Sequence, residues 1–185
     1  MELCRDPESQ EELLAGEMTM IGIVSDTHGL ARPEVIAALT GAELIIHAGD
    51  IGNADVLKAL ETIAPVLAVR GNNDHGPWAE QIPLTNVVEY RSHFLYVLHE
   101  LDHLDLDPVA SEFSAVIFGH SHRACAEIRR GVLYLNPGSA GPRRFNLPIA
   151  VARLHMTDTG LTPEIIEIGR EGGVRKGNAP GEGVA

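Results

Sequence analysis

Five times along this chain a short apolar run stops abruptly at a side chain able to bind a metal ion. MIGIVS (20–25) leads into Asp26-Thr27-His28, and ELII (43–46) into His47-Ala48-Gly49-Asp50. VLAV (66–69) leads through Arg70 into Gly71-Asn72-Asn73-Asp74, HFLYVL (93–98) into His99, and AVIF (115–118) into Gly119-His120-Ser121-His122. Runs this short and this rich in Val and Ile have strand length rather than helix length. Between the first three lie amphipathic stretches at 33–40, opened by Pro33, and at about 54–62, both with helical spacing. Strand and helix in alternation predict βαβ units and parallel pairing. In such sheets ligands bind beyond the carboxyl ends of the strands, so neighbouring strands would bring these polar groups into one cleft.

After residue 84 the texture changes. Further strands are expected at 86–90, 126–130, 132–135, 149–155 and 164–168, joined by short linkers that suit antiparallel pairs. Two β-sheets packed face to face and flanked by helices use all of these segments. The assigned domain is 18–170. Residues 1–17 are acidic and polar and are read as an N-terminal extension, with Met18 or Met20 as a possible alternative start. Residues 171–185 are Gly-rich and are expected to be a disordered tail.

Composition narrows the function. With 14 basic and 26 acidic residues the formal net charge is −12, which argues against general nucleic-acid binding or attachment to anionic membranes. Twelve of the basic residues are Arg, and only Lys58 and Lys176 are Lys, a bias of genome composition rather than a site. Cys4 and Cys125 are too few for a disulfide framework or a zinc knuckle. No apolar run has the length of a membrane span and no signal-peptide pattern precedes the first strand, so a cytoplasmic location is expected.

The donor set mixes imidazole, carboxylate and one amide, without thiolate. Such a set suits Mn, Fe, Zn, Co or Ni and argues against copper or iron–sulfur chemistry. Each piece alone has a plain structural explanation. Asp-Thr-His is usually a turn, Gly49-Asp50 is a common strand end, and a His closing a strand is more often a core imidazole than a ligand. Two His around Ser121 have fewer structural reasons to exist, and the ordered combination is what carries weight.

That combination, with Asn136-Pro137-Gly138-Ser139 after the last His, resembles the calcineurin-like metallophosphoesterases. The closer similarity is to their small bacterial and archaeal branch, which includes phosphodiesterases of the YfcE type, and it runs from about residue 20 to 168. The resemblance implies an α/β fold: two mixed β-sheets packed as a sandwich flanked by helices, in four αββα layers. It implies two divalent metal ions, Mn2+ first, with Fe, Zn, Ni or Co as alternatives. Asp26, His28, Asp50 and His122 would hold one, and Asp50, Asn72, His99 and His120 the other, with Asp50 bridging. The implied activity is hydrolysis of a small phosphoester, foremost a phosphodiester, with a metal-bridging hydroxide as in-line nucleophile and Asp50 and Asn72 at the reacting centre. A homo-oligomer, dimer or larger, is also implied.

Two departures stand out. Many members carry a His where this chain has Asn73, and an amide cannot act as a general acid near neutral pH. Activated leaving groups would therefore be favoured unless His75 or His103 substitutes, although both suit exposed loop positions. Many members also have Gly after the His that closes the fourth strand of the series, where this chain reads Glu100-Leu101-Asp102. Glu100 and Asp102 are either solvated loop carboxylates or supports for His99. Asn73, Arg123, Arg143 and Arg144 are candidate substrate contacts, since Arg recognises phosphate bidentately. Asp74 suits a turn-bracing role better than a ligand. The competing readings are a phosphomonoesterase of the same fold and a non-catalytic interaction scaffold like the retromer-coat subunit that shares it. A Ser hydrolase is disfavoured, because His120-Ser121-His122-Arg123 lacks the G-x-S-x-G elbow.

Overall fold

The computed structural model describes residues 19–144, 146–158 and 160–169. The expected extension (1–17) and tail (171–185) lie outside them. In chain order the elements are β1 (Thr19–Val24), α1 (Pro33–Leu39), β2 (Leu44–Ala48), α2 (Ala54–Glu61), β3 (Val66–Val69) and a helical turn α3 (Pro77–Glu80). Then come β4 (Thr85–Tyr90), β5 (His93–Leu98), a 3-10 turn at Leu101–His103, β6 (Ala115–Ile117), β7 (Cys125–Arg129), β8 (Val132–Asn136), β9 (Ile149–Thr157) and β10 (Gly160–Ile168).

They form two five-stranded mixed sheets, ordered β10-β9-β1-β2-β3 and β4-β5-β6-β8-β7. In the first sheet β1, β2 and β3 run parallel, with Ile23 opposite Ile46 and Ile46 opposite Leu67. In the second sheet β5, β6 and β8 run parallel. Antiparallel strands complete both: β9 and β10 in the first, β4 and β7 in the second.

Side-chain alternation divides the apolar residues into three clusters, because successive strand residues face opposite sides of the sheet. Ile21, Ile23, Ile46 and Val69 meet Leu95, Val97, Ile117 and Leu135 between the sheets. Their neighbours Val24, Ile45 and Val151 face outward and are covered by Val35 and Leu39 of α1 and Val56 and Leu60 of α2. On the far side, Tyr96, Leu98 and Val116 are covered by Leu101, Leu104, Leu106 and Phe113. That fourth layer is therefore the 100–113 segment with its 3-10 turn, and the α-helical cover lies on the first sheet. Pro33 starts α1, and the Asn53 side chain caps α2 by accepting from the Asp55 and Val56 amides, as helix N-termini require.

Candidate metal centre

Both parallel triplets end at the same edge of the sandwich, and the loops leaving them are stitched together there. The β1–β2 ladder continues past the strands through Asp26 N to Gly49 O at 3.0 Å and His28 N to Asp50 O at 2.9 Å. In the second sheet the β5–β6 pairing continues through Gly119 N to His99 O, and the sheets are joined across this edge by His120 N to Asp26 Oδ2 and Gly141 N to Asp26 O. Glycine is required where these loops touch. A Cβ at Gly71 would collide with the Asp50 carboxylate, and one at Gly119 with Ser25 Oγ.

All seven candidate ligands meet at this edge. Asp26, fully buried, has His122 Nε2 at 3.0 Å and His28 Nε2 at 3.9 Å from its Oδ1. The two imidazole nitrogens, His28 Nε2 and His122 Nε2, stand 3.3 Å apart. On the other side Asp50 Oδ1 lies 3.4 Å from His99 Nε2, and Asn72 Oδ1 lies 3.1 Å from His120 Nδ1. Asp50 stands between the groups, with Oδ1 toward His99 and Oδ2 3.8 Å from His28 Nε2. Asp26 is within ligand reach of both as well: donor atoms of Asp26, His28 and His122 are mutually within 4.8 Å, and so are those of Asp26, Asp50 and His99.

Several features fit a cation here. Asp26 Oδ1 and His99 Nε2 are buried without a hydrogen bond of good geometry, each facing another candidate donor, His122 Nε2 and Asp50 Oδ1, an arrangement a bound cation would satisfy. His99 Nδ1 donates to Ala48 O at 2.7 Å, which leaves Nε2 as the free lone pair, the arrangement that orients a metal-binding imidazole. Burial disfavours charge on His99, but its contacts to Asp50 and Ala48 O and the nearby Asp26 outweigh this and raise its pKa. The carboxylates that favour a proton there would equally favour a metal ion. Burial would also raise the Asp50 pKa, yet the contacts from His99 and from the Asn73 backbone and side chain hold it well below the usual carboxylate range. His28 is lowered, first by burial and then by Arg144 and His122, against the pull of Asp50 and Asp26. A neutral imidazole is the form that ligates.

The proposed substrate contacts separate. The Asn73 amide donates from Nδ2 to Asp50 Oδ2 at 2.6 Å while its backbone N–H holds Asp50 Oδ1 at 2.8 Å. Asn73 is thus placed on the central carboxylate. Arg144 Nη2 lies 3.3 Å from His28 Nε2, at the mouth of the site. Arg123 is exposed, with its backbone N–H on Ser121 Oγ, and Arg143 Nη2 lies beside Gly169, past the end of β10. Glu100 reaches His120 Nε2 at 3.9 Å rather than His99.

Sequence reasoning gave Asp74 its bracing role but missed the other supports. Ser25 Oγ donates to Asp26 Oδ2 at 2.7 Å, and Asn136 Nδ2 donates to Gly119 O at 2.7 Å. Thr27 Oγ1 lies 2.9 Å from His47 Nε2 and donates to Ile51 O. The Asp74 carboxylate accepts from three amides, those of Ile51, Gly52 and Gly71. Ser25 and Thr27 flank Asp26, Asn136 opens the Asn-Pro-Gly-Ser turn, and His47 precedes Gly49-Asp50 by two residues, so proximity to the candidate ligands was the signal available for them.

The comparisons with known proteins agree with this geometry. The family profile described as the calcineurin-like phosphoesterase superfamily domain matches residues 19–159. The chain belongs to the calcineurin-like phosphoesterase superfamily. A probable metallophosphoesterase of Methanothermobacter thermautotrophicus is 34% identical over 165 residues, which cover 81% of this chain and 93% of that protein. A phosphodiesterase of Methanocaldococcus jannaschii is 29% identical over 137 residues, covering 64% of this chain and 82% of the relative. In fold, this calcineurin-like chain is similar to Vps29 of Entamoeba histolytica crystallised with Zn2+: TM-score 0.70, 21% identity, covering 86% and 97% of the two chains. No helix among the described residues is long and apolar enough to cross a membrane.

Proposed function

We propose that this protein is a divalent-metal-dependent phosphodiesterase with a dinuclear centre. The observation that carries the reading is the Asp50 carboxylate, which faces His99 with one oxygen and His28 with the other. Asp26, His28, Asp50 and His122 would hold one ion, and Asp50, Asn72, His99 and His120 the second, Mn2+ being the first choice. When bound, such ions lower the pKa of coordinated water and polarise phosphoryl oxygens.

The chain's own residues supply the rest. Asn73 and Ser25 fix the two carboxylates by hydrogen bonds at 2.6–2.8 Å and 2.7 Å. Arg144, beside His28 at the mouth, would bind a non-bridging phosphoryl oxygen and offset its charge. Asn73 offers no acidic proton, and its amide is already committed to Asp50. The leaving oxygen therefore departs without a proton donor at that position, which favours aryl over alkyl esters. The likeness to Vps29 concerns the fold alone, whereas the complete set of donors supports the hydrolytic reading over a scaffold.

The test is to strip the protein with a chelator and restore Mn2+, Fe2+, Zn2+, Co2+ and Ni2+ singly. Bis-p-nitrophenyl phosphate and p-nitrophenyl phosphate are then assayed side by side, with metal content measured in each sample. The expected result is diester hydrolysis that tracks two bound ions per chain. Dominant monoester hydrolysis would replace the diesterase reading, and ion binding without hydrolysis of either substrate would sink the catalytic one.

A further inference from the structure

A cavity of about 330 Å³ opens directly beside the candidate centre, between the loop after β3 and the end of β5, and shares Asn72 and His99 with it. Its other walls include Arg70, Leu84, Leu98 and His103. The volume is at the lower end of the range for small-molecule pockets, roughly 300–1,000 Å³, and suits one ring-sized group rather than a polymer. Leu98 is buried at 1% exposure while Leu84 is 61% exposed, so the apolar surface runs from the floor of the cavity out to its rim.

The charges around this cavity are unequally committed. Glu100 also lines it, but its carboxylate faces two imidazoles, His103 Nδ1 at 4.0 Å and His120 Nε2 at 3.9 Å. Arg70 is partly buried. Its backbone N–H is bound to Pro83 O, but among the described residues its guanidinium has neither a hydrogen bond nor an ion pair. A guanidinium on the wall of a cavity, with no such partner, is free to receive an anion.

Building on the phosphodiesterase reading, we infer that this cavity binds an organic ester group of the substrate, and that the group carries a second anion recognised by Arg70. The ring packs on Leu84 and Leu98 while the reacting phosphate sits at the shared wall of Asn72 and His99. The second anion is a carboxylate or a second phosphoryl group, since both match the guanidinium fork. Arg70 is in this view a specificity-determining residue, separate from the hydrolytic machinery.

The experiment uses the full chain with its metal restored and three substrates releasing p-nitrophenolate. Their second ester groups are phenyl, 4-carboxyphenyl and 4-(phosphonomethyl)phenyl. Wild type should prefer the anionic pair, and the better of the two identifies the anion. Arg70→Met should raise KM for the anionic substrates roughly tenfold to a hundredfold, the worth of a charge-assisted hydrogen bond, with the phenyl ester within about twofold. Arg70→Lys should keep part of the preference, which guards against a folding artefact. Leu84→Ala should weaken all three substrates alike. Calorimetric binding of 4-carboxybenzylphosphonate to wild type and Arg70→Met gives a readout independent of turnover. An equal Arg70→Met effect on all three substrates overturns the inference while leaving the phosphodiesterase reading intact. If wild type hydrolyses none of them, that reading fails, and equal phosphonate affinities in the two proteins would then overturn the pocket as well.

Discussion

Asp74 tests whether the ligand-bearing loops are held by the bonds described above. Its Oδ2 accepts from Gly71 N at 2.8 Å and Ile51 N at 3.1 Å, and its Oδ1 from Gly52 N at 2.8 Å, with the side chain 4% exposed. Asp74→Asn changes no volume but replaces one acceptor by a donor. In the better orientation the amide oxygen keeps the Ile51 and Gly71 bonds and the NH2 faces the Gly52 N–H. One charge-assisted bond, worth about 1.5–3 kcal/mol, is lost, and the other two fall to roughly half their strength. The smaller desolvation cost of the neutral side chain offsets part of this, which leaves a net loss of about 2–4 kcal/mol. For a chain of this size that is a fall in Tm of roughly 5–15 °C. Urea unfolding in chelator is the assay, because bound metal would add its own linkage. A Cm shift with unchanged slope reports stability alone. Asp74→Asn within about 0.5 kcal/mol of wild type would show that the three bonds do not hold the loops together.

Asp50→Asn should reduce metal occupancy and lower kcat on bis-p-nitrophenyl phosphate by at least about a thousandfold, or about 4 kcal/mol; near-normal activity with full metal content would refute the central role of this carboxylate. His47 supplies a pH signature, since burial pushes its pKa down to about 4 from an ordinary 6.5. Between those values the unfolded chain binds the extra proton, so the stability it contributes is complete above pH 6.5. It is lost as pH falls through about 4, for a total on the order of 3 kcal/mol. Denaturant titrations from pH 7.5 to 4 should show that decline, and a flatter profile is expected for His47→Gln.

Local pattern made the strands legible and left their partners obscure. The runs at 66–69 and 93–98 coincide with β3 and β5, because an apolar run bounded by turn residues defines itself. The strand expected at 164–168 is only the second half of β10, which begins at Gly160 and runs through Pro163 because β10 is an edge strand, where Pro is tolerated. That β9 returns to lie against β1, with Ile21 opposite Leu154, is a pairing across more than a hundred residues that no window contains. The candidate ligands were legible because each closes an apolar run. Asp74 was legible as a turn brace, but Ser25 and His47 were not, because they look like ordinary strand-end residues until two loops meet around them.

The backbone at this edge bears on whether the fold serves as a scaffold or as a catalyst. Eight non-glycine residues have positive φ among the described residues, and five of them are Asp26, His28, Asp50, His120 and His122. The left-handed region costs an L-residue roughly 1–2 kcal/mol, although Asp and His tolerate it better than most. Together the five carry on the order of 5 kcal/mol of local strain, comparable with the net stability of many domains. Strain of that size persists only where surrounding bonds over-determine the conformation. The amides on Asp74, the Asn136 contact to Gly119 O and the ladder from β1 to β2 are such bonds. A surface that only docks a partner has no need of side chains held this closely, nor of buried Asp26 Oδ1 and His99 Nε2 atoms that make no hydrogen bond of good geometry and face other candidate donors. A centre that binds cations needs both, because donors must converge within a few ångströms while their charges repel. The strain concentrated on the ligand-bearing turns therefore favours metal chemistry over docking.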